Sequence, residues 1–177
     1  MKLLPRLLCC TALWSGAGLA HAAGETMLEA VDKVAEEHER NVRLFLLLLT
    51  GLRALQARPA DPEAVAESFL LSLLSLSGFH PSLSACAVCG RPDPDLFASG
   101  QGGAVCRSCA EPGAGPVSRE ALGLLAELGA AGPGRAGAVV VDPYVRREAR
   151  GLLFGFAEYH LERRMKSLPI LARSLVP

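Results

Sequence analysis

Six cysteines occur in the 177-residue chain, and four of them fall in a pattern with chemical meaning. Cys86-Ala-Val-Cys89-Gly90 and Cys106-Arg-Ser-Cys109 are two Cys-x-x-Cys pairs separated by sixteen residues, 90 to 105. A Cys-x-x-Cys turn aims two thiolates at one point, so two such turns supply four soft ligands, a set suited to tetrahedral Zn²⁺. Gly90 follows the first pair, where the chain must turn back tightly. Leu96 to Val105, with Gly100, Gly102 and Gly103, reads as a short hairpin joining the pairs. Two disulfides or four free thiols are the other readings; the doubled spacing favours a zinc ribbon. Four cysteines close the coordination shell, so the ion would be structural, with no open position to activate water. His80 lies near the ribbon but finds that shell already full.

The rest of the chain must position this ribbon. Half the residues are apolar and only 5% aromatic, which favours a Leu/Ala/Val core and helices. The length fits one domain or a domain with an appendage. Formal net charge is zero, so any nucleic-acid surface must be a local patch. From Glu25, Met27, Leu28, Val31, Val34 and Ala35 recur at helical steps opposite an acidic face of Glu25, Glu29, Asp32, Glu36, Glu37 and Glu39. Val42 to Leu55 follows, with Leu44 to Leu49 apolar all round, and reads as the central core helix. Asp61-Pro62 opens the next helix as cap and first-turn proline, with a stripe of Val65, Phe69, Leu70, Leu73, Leu74 and Leu76 ending at Gly78.

After the ribbon, residues 111–116 form a turn-rich linker, and Ser118 caps a helix through Leu128. Gly132-Pro-Gly134-Arg-Ala-Gly137 matches Gly-x-Gly-x-x-Gly only formally, because a helix precedes it where a dinucleotide site needs a strand. Asp142-Pro143 repeats the capping device and opens the longest helix, Tyr144 to Ser167, with Val145, Ala149, Leu152, Leu153, Phe156 and His160 facing inward. Arg146, Arg147, Arg150, Arg163, Arg164 and Lys166 are placed mostly outside. Residues 142–177 carry seven Lys/Arg against four Asp/Glu, a local excess of three that could neutralise phosphates.

The first residues are ambiguous. Met1-Lys2 and Arg6, the apolar Leu7 to Trp14, and Ala20-His21-Ala22 have the layout of a secretory signal peptide. Export would carry the thiols to an oxidising compartment, and Pro5, Cys9, Cys10 and Thr11 interrupt the apolar run; the other readings are an Ala/Leu-rich helix or a ragged start to the coding sequence. Cys9 and Cys10 receive no role. No catalytic motif of serine or cysteine hydrolases, phosphate-binding loops or His-Glu-x-x-His metalloproteases is present, so a binding or scaffold role is the better class.

Several stretches together resemble a known family. They are Met27-Leu-Glu-Ala, Arg43-Leu-Phe-Leu-Leu-Leu, and Ala66-Glu-Ser-Phe-Leu-Leu-Ser-Leu-Leu-Ser-Leu-Ser-Gly78-Phe-His-Pro81. Leu83-Ser-Ala-Cys86-Ala-Val-Cys89-Gly90, Gly102 to Cys109, and Tyr159-His-Leu-Glu-Arg-Arg-Met-Lys-Ser-Leu-Pro169 complete the set. Over residues 22–170 the chain resembles the bacterial RecO family of DNA repair and recombination mediators, in its actinobacterial style. The resemblance implies a cytoplasmic, non-enzymatic protein that binds single- and double-stranded DNA and anneals strands. It also implies help in loading recombinase, with RecR, RecF and single-strand-binding protein as partners and no membrane. Cys86, Cys89, Cys106 and Cys109 match the family's ribbon. Family members begin with an OB-type barrel, and no run of alternating strands precedes Glu25.

The expected architecture is mainly α, a helical bundle with an inserted four-cysteine zinc ribbon. Its parts are an N-terminal segment 1–24, a helical region 25–80, the ribbon 81–115, and a helical region 116–177 that completes the bundle. An exported disulfide-linked helical protein, or a zinc-ribbon adaptor without DNA binding, are the alternatives.

Overall fold

The computed structural model describes residues 8–35, 40–136 and 141–161, with side-chain positions from residue 18 onward. Five helices run α1 (Leu8–Val34), α2 (Val42–Gln56), α3 (Pro62–Leu76), α4 (Arg119–Ala131) and α5 (Pro143–His160). Between α3 and α4 lie three short strands, β1 (Leu96–Ala98), β2 (Gly103–Val105) and β3 (Gly115–Pro116). The fold is therefore mainly α with a small inserted sheet, as the sequence implies. Among the described residues, no helix is long and apolar enough to cross a membrane.

The helix starts follow from local chemistry. Asn41, Asp61, Ser118 and Asp142 each accept a backbone N–H of the first turn, from Leu44 at 3.0 Å, Ala64 at 2.9 Å, Ala121 at 3.1 Å and Tyr144 at 2.8 Å. Each bond satisfies a donor that the helix cannot satisfy itself. Pro62 and Pro143 occupy the first turns after Asp61 and Asp142. Ser118 also ties α4 to α5, since its N–H and Oγ both donate to the Glu148 carboxylate, at 2.7 and 2.6 Å.

Helix α3, not α2, is the centre of the bundle. Eleven of its fifteen residues are buried, and α1, α2, α4 and α5 all pack on it. Small side chains make that possible: Ala64, Ala66 and Ser68 let neighbouring helices approach, and Ser68 Oγ donates to Leu128 O at 2.6 Å. The expectation for α2 is corrected. It buries only Leu44, Gly51 and Leu55, and leaves Val42, Phe45, Leu46 and Leu52 exposed. Both helices are rich in leucine, so composition does not say which one the others surround. Gly51 marks where α2 crosses its neighbours: a Cβ there would lie 2.9 Å from Met27 Sδ and 3.1 Å from the Phe69 ring.

Helix α1 also begins earlier than expected. It is continuous across residues 24 and 25, and Ala22 and Ala23 are already buried beside Met27 and Ala30. Ala20-His21-Ala22 thus lies inside a packed helix. An alanine-rich stretch gives little periodic contrast, so its buried face escapes a pattern reading.

A buried ionic cluster joins α3 to α5. Arg146 grips Asp61 through Nη1 and donates from Nη2 to Asp61 Oδ1 and Glu67 Oε2, both at 3.0 Å. Arg150 donates from Nε to Glu67 Oε1 and from Nη2 to Glu63 Oε2, both at 2.6 Å. Burial pushes the Glu67 carboxyl above its ordinary value, against the pull of Arg150 and Arg146. Burial opposes the charge of Arg146, but its bonds to Asp61 and the charge of Glu67 outweigh that and hold it high. This corrects the sequence reading, which set Arg146 and Arg150 on the outer face among the phosphate contacts. Both are buried and turned inward, because their three acidic partners arrive from a helix some eighty residues earlier in the chain. Arg147 is exposed as expected, while Arg163, Arg164 and Lys166 lie outside the described residues.

The sheet has the order β2-β1-β3, with β1 antiparallel to both neighbours. The expected hairpin is present, pairing Leu96 with Val105 and Ala98 with Gly103. Ser82 bridges to Gly103, donating N–H to Gly102 O at 2.9 Å and accepting from Ala104 N at 2.8 Å. That approach needs glycine: Gly103 has φ +128°, and a Cβ would lie 2.5 Å from Ser82 O.

Two substitutions test these contacts. Glu67→Ala removes the carboxylate shared by two buried guanidiniums, leaving Arg146 to Asp61 and Arg150 to Glu63, and is expected to cost about 3 kcal/mol, the low end for breaking a buried pair; urea unfolding measures it. Gly103→Ala combines a positive φ with a backbone clash and is expected to cost about 2–4 kcal/mol. Thermal unfolding should show that loss together with increased proteolytic cutting near residue 82.

Candidate metal centre

The four paired cysteines converge. Their sulfurs all lie within 4.8 Å of one another, and Cys89 Sγ and Cys106 Sγ are 3.7 Å apart. None of the four is bonded to another. Sulfurs held about 2.3 Å from one tetrahedral ion stand about 3.8 Å apart, whereas a disulfide needs about 2.05 Å. The spacing fits a shared ion. Cys86 is buried, Cys106 and Cys109 are half-buried, and Cys89 is exposed, so the site sits at the ribbon's edge.

Two tight turns deliver the sulfurs. In the first, Gly90 N donates to Cys86 O at 2.9 Å with Gly90 at φ +72°, and Cys86 N donates to Arg91 O at 2.8 Å. In the second, the N–H groups of Cys109 and Ala110 both reach Cys106 O, at 2.9 and 3.0 Å. The hairpin brings the two turns together, and Ala87 N donates to Ala104 O at 2.8 Å to lock the first against β2.

The electrostatics favour thiolate up to a limit. The backbone N–H of Cys106, 3.4 Å from Cys86 Sγ, together with those of Cys89 and Val88, lowers the Cys86 thiol to about 6. The Ser108 hydroxyl, 3.2 Å from Cys106 Sγ, lowers Cys106 as well. Cys109 goes the other way, pushed up to about 12 by the neighbouring sulfurs of Cys106 and Cys89. Backbone dipoles stabilise the first negative charges, and those charges then resist the last. Four thiolates coexist here only with a cation between them, which is the chemistry of a closed structural metal site.

Supporting contacts less visible in the sequence fix the ribbon. Gln101 Nε2 donates to Cys109 O at 2.9 Å, and Gln101 Oε1 accepts from Glu111 N at 3.0 Å. One amide thereby holds the second turn to the hairpin, and no motif announces it. His160, expected as a packed histidine, bonds through Nε2 to Ser99 O at 3.0 Å. Its ring stacks on Phe79 at 4.7 Å and lies 4.2 Å from Phe156. Phe156 in turn meets Phe97 of β1 edge to face at 6.0 Å. The end of α5 is thus wedged between the bundle and the ribbon. His80 is absent from the sulfur cluster and is engaged with Ser75 Oγ at 2.7 Å.

Cys106→Ser is expected to abolish retention of one divalent ion per chain, measured by elemental analysis of protein purified under reducing conditions. Chelation of the wild-type chain should lower stability by about 3 kcal/mol, a fall in Tm of roughly 6–12 °C for a domain of this size.

The family model described as "Recombination protein O C terminal" matches residues 17–169. The DNA repair protein RecO of Frankia casuarinae is 40% identical over 156 residues, covering 87% of this chain and 63% of that protein. Its counterpart in Streptomyces avermitilis is 39% identical over 150 residues, covering 84% and 60%. That of an Anaeromyxobacter species is 41% identical over 140 residues, covering 75% and 54%. The chain spans about three-fifths of the length of the first two relatives. With a family match across nearly all the residues that build the bundle and ribbon, the chain belongs to the RecO family of DNA repair proteins.

Proposed function

We propose that this chain serves homologous recombination as a RecO-type mediator that binds DNA, supports strand annealing and helps load recombinase. RecR, RecF and single-strand-binding protein are its partners in this reading. It acts in the cytoplasm and without catalysis of its own. The observation that carries the proposal is the family match over residues 17–169, which includes both cysteine turns. Zn²⁺ is the ion proposed for the quartet, because an all-thiolate tetrahedral set suits it better than harder cations. When bound, the ion supplies charge compensation and a cross-link. Cys86 and Cys89 would hold one side and Cys106 and Cys109 the other, keeping the hairpin against His160 and Phe156.

The DNA contacts proposed on α5 are narrower than charge counting suggests. Arg146 and Arg150 are committed to Asp61, Glu63 and Glu67 and are not available to phosphate. Arg147 is available, beside the exposed ring of Tyr144, with its guanidinium carbon 5.9 Å from the ring centroid. Arg163, Arg164 and Lys166 remain proposed phosphate contacts on sequence grounds alone.

A titration with labelled single- and double-stranded oligonucleotides at two salt concentrations tests this reading. Binding should weaken as salt rises, and Arg147→Glu should weaken it at low salt and reduce the magnitude of the salt slope by about 1. Absence of binding even at low salt would remove the phosphate contact and leave a protein-binding role for the ribbon and bundle.

A further inference from the structure

The four cysteines are not equivalent. Cys86 is 3% exposed, Cys106 and Cys109 are half-buried, and Cys89 is exposed. The local backbone explains the difference. The first turn is tied to the sheet at its buried end, where Ala87 N donates to Ala104 O, and Gln101 holds the second turn through Cys109 O. Cys89 instead lies within residues 87–93, a run in which every residue is exposed. The sulfurs also differ in their partners. Cys86 Sγ accepts the Cys106 N–H at 3.4 Å, and Cys106 Sγ has the Ser108 hydroxyl at 3.2 Å. Among the described residues, Cys89 Sγ meets no donor outside the quartet, and Cys106 Sγ lies 3.7 Å from it. A donor on a sulfur draws on the lone pair that attacks an electrophile, and burial keeps the electrophile away. Cys89 is free of both restraints.

We propose that Cys89 is a site of oxidation by hydroperoxides and that Cys106 resolves it, converting the metal-binding quartet into a Cys89–Cys106 disulfide. Oxidant-sensitive cysteines are accessible thiolates with a second cysteine close by, which is the arrangement of this pair. The Cys89 thiolate attacks the terminal oxygen of the peroxide. An S–O bond forms, the O–O bond breaks, and the departing alkoxide takes a proton from water. The sulfur loses two electrons and the peroxide gains them. The Cys106 thiolate then attacks the Cys89 sulfur. An S–S bond forms, the S–O bond breaks, and the departing hydroxide takes a proton from water. In sum, two thiolates, one hydroperoxide and two protons give one disulfide, one alcohol and one water.

The geometry asks for little movement. The sulfurs close from 3.7 Å to about 2.05 Å, which is under about 1 Å for each. Cys86 and Cys109 then remain as thiolates, one from each turn, and two ligands do not close a tetrahedral shell. The ion is lost while the turns stay joined, because the new bond runs between them as the ion did. The Ser82–Gly103 bridge and the aromatic wedge of Phe156 on Phe97 need no rearrangement. Oxidation thus exchanges one cross-link of the ribbon for another, and a dithiol reductant reverses it. This chemistry rests on the quartet holding an ion and not on DNA binding by α5.

The test uses the full chain, reduced and loaded with Zn²⁺. Its ion content is measured first, and one equivalent of hydrogen peroxide is then added beside a chromogenic zinc chelator. The expected release is about one ion per peroxide consumed, from the two-thiolate balance above. Cleavage at Asp95 and Arg107, with fragmentation of the linked peptides, should place the disulfide between Cys89 and Cys106. In the absence of peroxide, N-ethylmaleimide below one equivalent should label Cys89 roughly tenfold more than Cys86, as their exposures require. The oxidised chain should also survive proteolysis between residues 86 and 109 longer than the reduced chain stripped by chelator, and dithiothreitol with added zinc should restore its ion content. A chain that holds no ion at the outset overturns the metal centre and the switch together. Retention of the ion through excess peroxide, a disulfide that omits Cys89, or even labelling of all four thiols overturns the switch alone.

Discussion

One constraint organises the molecule: α3 is covered on nearly every side. A helix in that position cannot leave a charge uncompensated, because a buried ion without a partner costs several kcal/mol. Glu63 and Glu67 sit in its first two turns, and Asp61 caps it. Two arginines must therefore come to meet them, and both are on α5. The apolar contacts of α3 set how close its neighbours come, and the ionic cluster sets which face and register α5 presents. Fixing α5 at this end also fixes where its other end goes.

That other end is where the ribbon attaches. Phe156 and His160 lie less than about four turns beyond the arginines on the same helix, and they meet Phe97, Phe79 and Ser99. The ribbon is too small to own a hydrophobic core, as is common for metal-stapled units. It relies on three supports: the sulfur cluster, the Ser82–Gly103 bridge, and the aromatic wedge from α5. A disturbance at the α3–α5 cluster and one at the cysteines thus converge on one joint between bundle and ribbon. The outer face of α2 stands apart from this chain of support.

Legibility differed by element for physical reasons. The cysteine quartet was readable because each turn is local: two residues between sulfurs fix the geometry whatever surrounds it. The same holds for Asp61-Pro62, Ser118 and Asp142-Pro143, whose capping bonds are made within the first turn. Helices α2 and α3 defeated the reading, because Leu44 to Leu49 is the more apolar run and still lies at the periphery. Periodicity reports which side chains avoid water, and it does not report how many neighbours a helix will have. The arginines of α5 were misplaced for a related reason. A local excess of cations looks like a phosphate surface until distant carboxylates claim part of it.

The sequence alone determined the grouping of the four cysteines, the capped starts of α3, α4 and α5, the mainly α character and the family, since each depends on contacts or spacings within a few residues or on an ordered series of short motifs. The tertiary structure alone decided which helix is the core, that α1 reaches back through Ala22 and Ala23, and that Arg146 and Arg150 face inward while Arg147 faces solvent. Those outcomes depend on groups from separate helices competing for the same buried space, and that competition is settled only when the helices pack.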